Sequence, residues 1–240
     1  MLNLLIDNGN SSLKAAWSDG TRLKETFRYC GEDAEGYIIS LARGKSIGTI
    51  ALSSVKGLSP DLEEKLKSSC SELIVVSGTS NLPVKNLYLT PQTLGPDRIC
   101  AAVGANALFP GKNCIILDFG TALTIDFLNE RGEFLGGNIS PGVSLRFRAL
   151  NSYTDRLPLA NLSGEFSGYG TDTLSAINSG TILGLILETE GYMRRFPHHT
   201  YIFTGGDAIY FAEKMKSPIF VVYNLVLIGL AHIAEYNAKI

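Results

Sequence analysis

Two acidic residues sit at the ends of apolar runs, and each is followed two residues later by glycine. Leu4-Leu5-Ile6 leads into Asp7-Asn8-Gly9-Asn10, and Ile115-Ile116-Leu117 leads into Asp118-Phe119-Gly120-Thr121. A carboxylate at the end of a buried strand is expensive to leave alone, so each is expected to face a cation, a phosphate-bound metal or water. The glycines let the backbone approach phosphate oxygens, and Asn10, Ser11 and Thr121 add neutral donors. Asp-Asn-Gly is also ordinary turn chemistry, and one copy would need no further explanation. The recurrence argues for more: the aspartates stand 111 positions apart (7 to 118), and Gly9 and Gly120 keep the same interval.

A third acid, Asp97, lies in Gly95-Pro96-Asp97-Arg98 at the opening of an apolar-periodic stretch. At a helix start Asp97 serves the helix dipole. Beside a substrate hydroxyl the same carboxylate would accept a proton as a bond to phosphorus forms, with Arg98 anchoring an anionic group. Gly136-Gly137-Asn138-Ile139-Ser140-Pro141-Gly142 reads as a rigid loop exposing backbone donors, and Gly205-Gly206-Asp207-Ala208 as a weaker version of it. Neither matches the Walker or the dinucleotide-binding pattern. Tyr88 alternates like a strand residue. Arg146 and Arg148 read as a solvated face or internal ion pairs. His198 and His199 fall in a loop and His232 in an apolar helix, which leaves little for a Ser-His-Asp or His-rich metal site.

To hold these groups the chain needs alternating strands and helices. Each aspartate segment reads as a buried strand, a tight turn centred on glycine and a returning strand. Residues 49–55, 73–76 and 200–204 read as strands. Residues 60–68, 97–108 and 225–236 read as helices, and 173–196 as one long helix with possible interruptions at Gly184 or Gly191. The expected architecture is α/β, with two similar halves around a central cleft. The Pro110-Gly111-Lys112-Asn113 punctuation divides it into residues 1–112 and 113–240.

The 240 residues are 45% hydrophobic and 18% charged, with a formal net charge of −2, so broad electrostatic binding to nucleic acid is not expected. Cys30, Cys70, Cys100 and Cys114 form no C-x-x-C pair and read as reduced thiols. The Met-Leu-Asn-Leu-Leu-Ile-Asp start lacks a basic segment, and no apolar run is long enough to span a bilayer; a cytoplasmic protein is expected.

Taken in order, Asp7-Asn8-Gly9-Asn10, Gly95-Pro96-Asp97-Arg98, Asp118-Phe119-Gly120-Thr121-Ala122, the Gly136 to Gly142 segment, Gly170-Thr171-Asp172-Thr173 with Ser179-Gly180, and Thr204-Gly205-Gly206 resemble the type III pantothenate kinases. These are members of the acetate-kinase, Hsp70 and actin superfamily, whose half-domains are actin-like (ribonuclease H-like). The resemblance implies ATP-dependent phosphorylation of pantothenate to 4'-phosphopantothenate, the first step of coenzyme A synthesis. It implies an ATP phosphate loop of Asp7, Asn8, Gly9, Asn10, Ser11, Ser12, Leu13 and Lys14, with Asp7 near the nucleotide's Mg²⁺ and Thr121 against ATP. Asp97 would be the proton acceptor, with Tyr88, Gly95, Pro96, Asp97, Arg98 and Thr173 around pantothenate. Asp118 would hold a monovalent cation, K⁺ or NH₄⁺. A homodimer is implied, with the C-terminal half supplying its helices and Thr173 reaching across. Ser11 stands where many relatives have threonine, and Thr171-Asp172 where Lys-Asn is commoner. Two other readings remain open at this level: a non-catalytic regulatory homologue, and a superfamily kinase for another small alcohol such as a sugar.

Overall fold

A computed structural model describes residues 1–162 and 167–239. The chain begins with β1 (Leu2–Asn8), β2 (Leu13–Asp19) and β3 (Arg22–Tyr29), then α1 (Ala34–Ala42), β4 (Ile47–Ser54), α2 (Pro60–Ser69) and β5 (Cys70–Val75). It continues through β6 (Lys85–Asn86), α3 (Pro96–Leu108), β7 (Cys114–Phe119), β8 (Ala122–Leu128) and β9 (Glu133–Pro141). Then follow α4 (Val143–Ser152), α5 (Thr173–Arg195), β10 (Thr200–Thr204), α6 (Ala208–Ala212), β11 (Phe220–Val221) and α7 (Leu225–Asn237). No helix among the described residues is long and apolar enough to cross a membrane.

The two apolar runs become β1 and β7, and each leads into a returning strand. The first sheet has the order β3-β2-β1-β4-β5. β1 pairs with β2 antiparallel and with β4 parallel, which makes it an interior strand, and its burial on both faces matches its continuous apolar sequence. The second sheet runs β11-β10-β7-β8-β9-β6. Without β6, its order mirrors the first: three strands in succession, then two more on the far side of the initial strand. The repeat seen in sequence is therefore a repeat of topology.

Contacts group the chain into two compact units, Met1–Lys112 with Asp126–Gly136 and Asn224–Ile240, and Asn113–Ile125 with Gly137–Tyr223. The change at Lys112 coincides with the Pro-Gly punctuation. The segments at 126–136 and 224–240 group with the N-terminal residues, which a single cut of the sequence does not capture. For α7 the cause is close packing on α3. A Cβ at Gly104 would strike the Leu225 carbonyl, and one at Gly229 the Cys100 carbonyl, so these glycines let the helix backbones meet.

The first unit's core gathers Leu4, Ile6 and Leu13 with Ile38, Ile50, Leu52, Leu62 and Leu66. In the second, Phe119 packs on Phe203 and Phe211 with ring centroids 4.8 and 4.9 Å apart. Two sequence expectations are corrected. The segment 136–141 is not a loop, because β9 runs through it to Pro141 and only Gly142 stands outside, as the N-cap of α4. α5 is continuous through Gly184 and Gly191, capped at its start by a reciprocal Asp172–Ser175 box.

Candidate active site

In the first unit, Asp7 stands one residue before the end of β1, opposite Lys14 on β2 and Ser53 on β4. The buried Ser53 hydroxyl donates to Asp7 Oδ1 at 3.4 Å. Asn8 Nδ2 donates to Ser54 Oγ at 3.4 Å, and the loop is closed by Gly9 N–H donating to the Ser12 carbonyl at 3.2 Å. Asn10 and Ser11 are exposed at its tip. Gly9 has no positive φ; its use is space, since a Cβ there would lie 3.2 Å from the Ser12 oxygen.

Asp97 is in the first turn of α3, where the free backbone N–H groups favour a carboxylate. Its Oδ1 accepts from Arg98 N–H at 2.9 Å and crowds Gly95, where a Cβ would sit 2.5 Å away. Burial pushes the Asp97 carboxyl above the ordinary range, against the opposing pull of the Arg98 amide and charge. One turn on, the fully buried Cys100 thiol is raised well above its usual value by burial and then by the charges of Asp7 and Asp97. The fold thus brings both carboxylates within electrostatic reach of one thiol. Cys100 itself stays protonated and inert.

Arg98 is buried, and its guanidinium faces Asp126 on β8, which is 1% exposed. Arg98 Nε donates to both carboxylate oxygens, at 2.9 and 3.2 Å, and Nη2 to Oδ1 at 2.5 Å. The guanidinium carbon lies over the Tyr88 ring, 5.8 Å from its centroid, and the two side chains are hydrogen-bonded. Tyr88 is tilted against Phe134 at 6.3 Å and passes over Gly136 (φ +119), where a Cβ would come within 3.4 Å of the ring. The sequence expects Arg98 to anchor an anionic group; in the structure its guanidinium pairs with Asp126, a partner 28 residues away that no local pattern announces.

In the second unit, Asp118 stands one residue before the end of β7, opposite Thr204 on β10. The β7–β8 turn is short, with Gly120 N–H donating to the Ala122 carbonyl at 3.1 Å. Gly142 N–H donates to Thr121 O at 3.1 Å, and Asp207 N–H to Phe119 O at 3.2 Å, so three loops converge here. Gly205 is in the left-handed region (φ +93), and a Cβ on it would collide with Asp118 and the Phe119 carbonyl. A carboxylate among backbone carbonyls is the hard oxygen donor set that a simple cation takes. Among the described residues no group of three His, Cys, Asp or Glu side chains is placed to hold a metal ion. Thr173 begins α5 and is exposed. Arg146 pairs with Glu188 and also donates to Ser140 Oγ at 2.9 Å, while Arg148 is exposed.

Two units with matching sheet order, each bearing an aspartate at the same strand end, define the actin-like class of α/β proteins. Solved structures agree on the fold. A Campylobacter jejuni protein of the Baf transcriptional-activator family superposes with a TM-score of 0.65 at 23% identity, covering 99% of this chain and 100% of its own. The activator of the 2-hydroxyisocaproyl-CoA dehydratase from Clostridium difficile, with bound ADPNP, gives 0.61 at 16% identity, covering 100% and 96%. Within that class the chain belongs to the type III pantothenate kinase family. The family's sequence profile matches residues 3–195. A type III pantothenate kinase of Phocaeicola vulgatus is 41% identical over 244 residues, covering 100% of both chains.

Proposed function

We propose that the chain transfers the γ-phosphate of ATP to the primary hydroxyl of pantothenate, giving 4'-phosphopantothenate and ADP, the first step of coenzyme A synthesis, in the cytoplasm. In the transfer the substrate oxygen forms its bond to phosphorus, the bond from phosphorus to the ADP oxygen breaks, and the hydroxyl proton passes to the Asp97 carboxylate. The observation that carries this reading is the placing of Asp97 in the first turn of α3, with its carboxyl raised by burial and, like Asp7, within electrostatic reach of Cys100. A carboxylate whose affinity for a proton is raised by burial is a stronger base than one in water.

The loop from Asp7 through Asn8, Gly9, Asn10, Ser11, Ser12 and Leu13 to Lys14 would take the ATP phosphates on its amides and hydroxyls, with Asp7 facing the nucleotide-bound Mg²⁺. Thr121 would contact ATP in the second unit. Asp118 would hold a monovalent cation, K⁺ or NH₄⁺. These cations would add positive charge that a chain of net charge −2 supplies only locally. Tyr88, Gly95, Pro96 and Arg98 would line the pantothenate pocket. A homodimer would bring Thr173 to the partner's substrate. In support of the dimer, an apolar groove of about 580 Å³ opens between α4 and α5, lined by Leu145, Ala149, Leu150, Ala176 and Ile177 among others. A light-scattering mass equal to one chain would remove that part of the reading.

The test is ADP release with ATP, Mg²⁺ and pantothenate, in potassium and then in sodium. Pantothenate-dependent turnover that falls away in sodium supports both the substrate and the Asp118 assignment. Turnover indifferent to the ion discards the cation site alone, and none in either salt discards the substrate. Asp97→Asn should lower kcat by about 10²–10⁴-fold with ATP binding largely spared; full activity would overturn the role. Because the folded carboxyl titrates above the unfolded one, its charge opposes folding at neutral pH and ceases to do so below the unfolded carboxylate range. Asp97→Asn should therefore melt slightly higher at pH 7, with the gap closing toward pH 3.

A further inference from the structure

The Arg98–Asp126 ion pair is nearly fully buried, yet burial gives no reason for its presence. Desolvating two charges costs about as much as their attraction returns, and apolar residues of the same volume often stabilise a fold equally well. What the pair does give is direction. A guanidinium held through Nε and Nη2 by one carboxylate has its plane fixed, and with it the Tyr88 ring that leans on it and the helix turn that carries Arg98.

Those two groups are the ones closest to the chemistry proposed above. Tyr88 sits under the guanidinium and hydrogen-bonds to it. Arg98 also belongs to the first turn of α3, and its amide holds Asp97 Oδ1. An inward anchor at Arg98 sets the rotation of that turn, so its neighbour Asp97, about 100° around the helix, keeps one direction. β8 and β9 supply the rest of the clamp. Asp126 holds the guanidinium from one side, while Phe134 and the bare backbone of Gly136 seat the Tyr88 ring.

We infer that Asp126 is a positioning residue for pantothenate, fixing through Arg98 both the Tyr88 hydroxyl and the helix turn that presents Asp97. The inference rests on the pantothenate-kinase reading. Asp126 touches no substrate; its effect is on where other groups stand.

The experiment compares wild type with the isosteric Asp126→Asn, checked for folding by circular dichroism and assayed well below its melting temperature. Pantothenate and ATP are titrated separately. The expected result is a rise of at least about tenfold in the KM for pantothenate together with a fall in kcat, and a KM for ATP within about threefold of wild type. A residue that only stabilises the fold would lower kcat in step with the folded fraction and leave both KM values where they were. That outcome overturns the inference. If Asp126→Asn does not fold, Asp126→Glu keeps the charge but displaces the guanidinium, and is judged by the same split. Wild type that does not phosphorylate pantothenate would refute the underlying reading, whereas active wild type with an unmoved pantothenate KM in the variant refutes only the role of Asp126.

Discussion

The Asp7 and Asp118 turns begin from nearly the same words and end as different devices. The first leaves Gly9 to Ser12 outside the strands, closes with the Gly9–Ser12 hydrogen bond, and exposes Asn10 and Ser11. The second leaves only Gly120 and Thr121 and is hemmed by Gly142, Gly205 and Asp207. Two additional residues make an open loop of donors that can wrap phosphates. Their absence makes a shorter turn, hemmed by neighbouring loops, whose carboxylate would hold an ion in the function proposed above. Neither glycine is needed for a positive φ. Gly9 eases a tight approach to the loop's own carbonyl, whereas a Cβ at Gly120 would meet Asp118 Oδ1 at 3.4 Å, an ordinary contact. Duplicating a strand-turn-strand unit thus preserves the carboxylate's address, while loop length decides what it can hold.

The sharpest way to break this contrast is Gly205→Ala. The new Cβ would meet Asp118 and the Phe119 carbonyl, at a backbone angle that alanine rarely adopts. We expect about 3 kcal/mol of destabilisation, a fall in melting temperature of about 10 °C, and at least tenfold lower turnover at temperatures where the variant is folded. An unchanged melting temperature would mean that the second turn is only loosely hemmed, and the distinction between the turns would fail.

Gly9→Ala makes the matching change in the open loop. Its Cβ meets one carbonyl at 3.2 Å, at an ordinary φ, on a loop with room to shift. Stability should change by less than about 1 kcal/mol. The KM for ATP should rise about fivefold while that for pantothenate holds. A loss of stability as large as that of Gly205→Ala would show the first turn to be equally enclosed.

What the sequence disclosed follows the range of the forces involved. β1, β7 and β10 were legible because an apolar run bounded by polar turn residues is a local signal, and α3 because Pro96 and Asp97 mark a helix start. The repeat gave both site aspartates their strand ends. The 136–141 segment misled because its glycines resemble a loop. Gly136 lies within β9, at a positive φ and beneath the Tyr88 ring, which are tertiary facts. The Asp126 partner of Arg98, the return of α7 to the first unit and the unbroken α5 are tertiary in the same sense: packing overrode or supplemented local propensity, and no spacing rule encodes it.

The smallest expected effect probes what braces Asp7. Ser53 is fully buried directly across β1–β4, and its hydroxyl reaches Asp7 Oδ1 at a long 3.4 Å. In an apolar sheet interior alanine would pack as well, so the serine is expected to matter through the carboxylate it steers. Ser53→Ala removes one weak donor and leaves the strand pairing intact. Stability should move by no more than about 1 kcal/mol. Asp7 then keeps its place on β1 but loses a preferred rotamer, and the KM for ATP should rise about two- to threefold with kcat unchanged. Stopped-flow titration with a fluorescent ATP analogue would resolve that change. If nucleotide affinity does not move at all, Asp7 is oriented by the loop alone, and the open turn is more self-sufficient than the contrast with Asp118 implies. If affinity falls tenfold or more, the hydroxyl is a principal support, and the first carboxylate is as firmly caged as the second, by a strand where the other is held by loops.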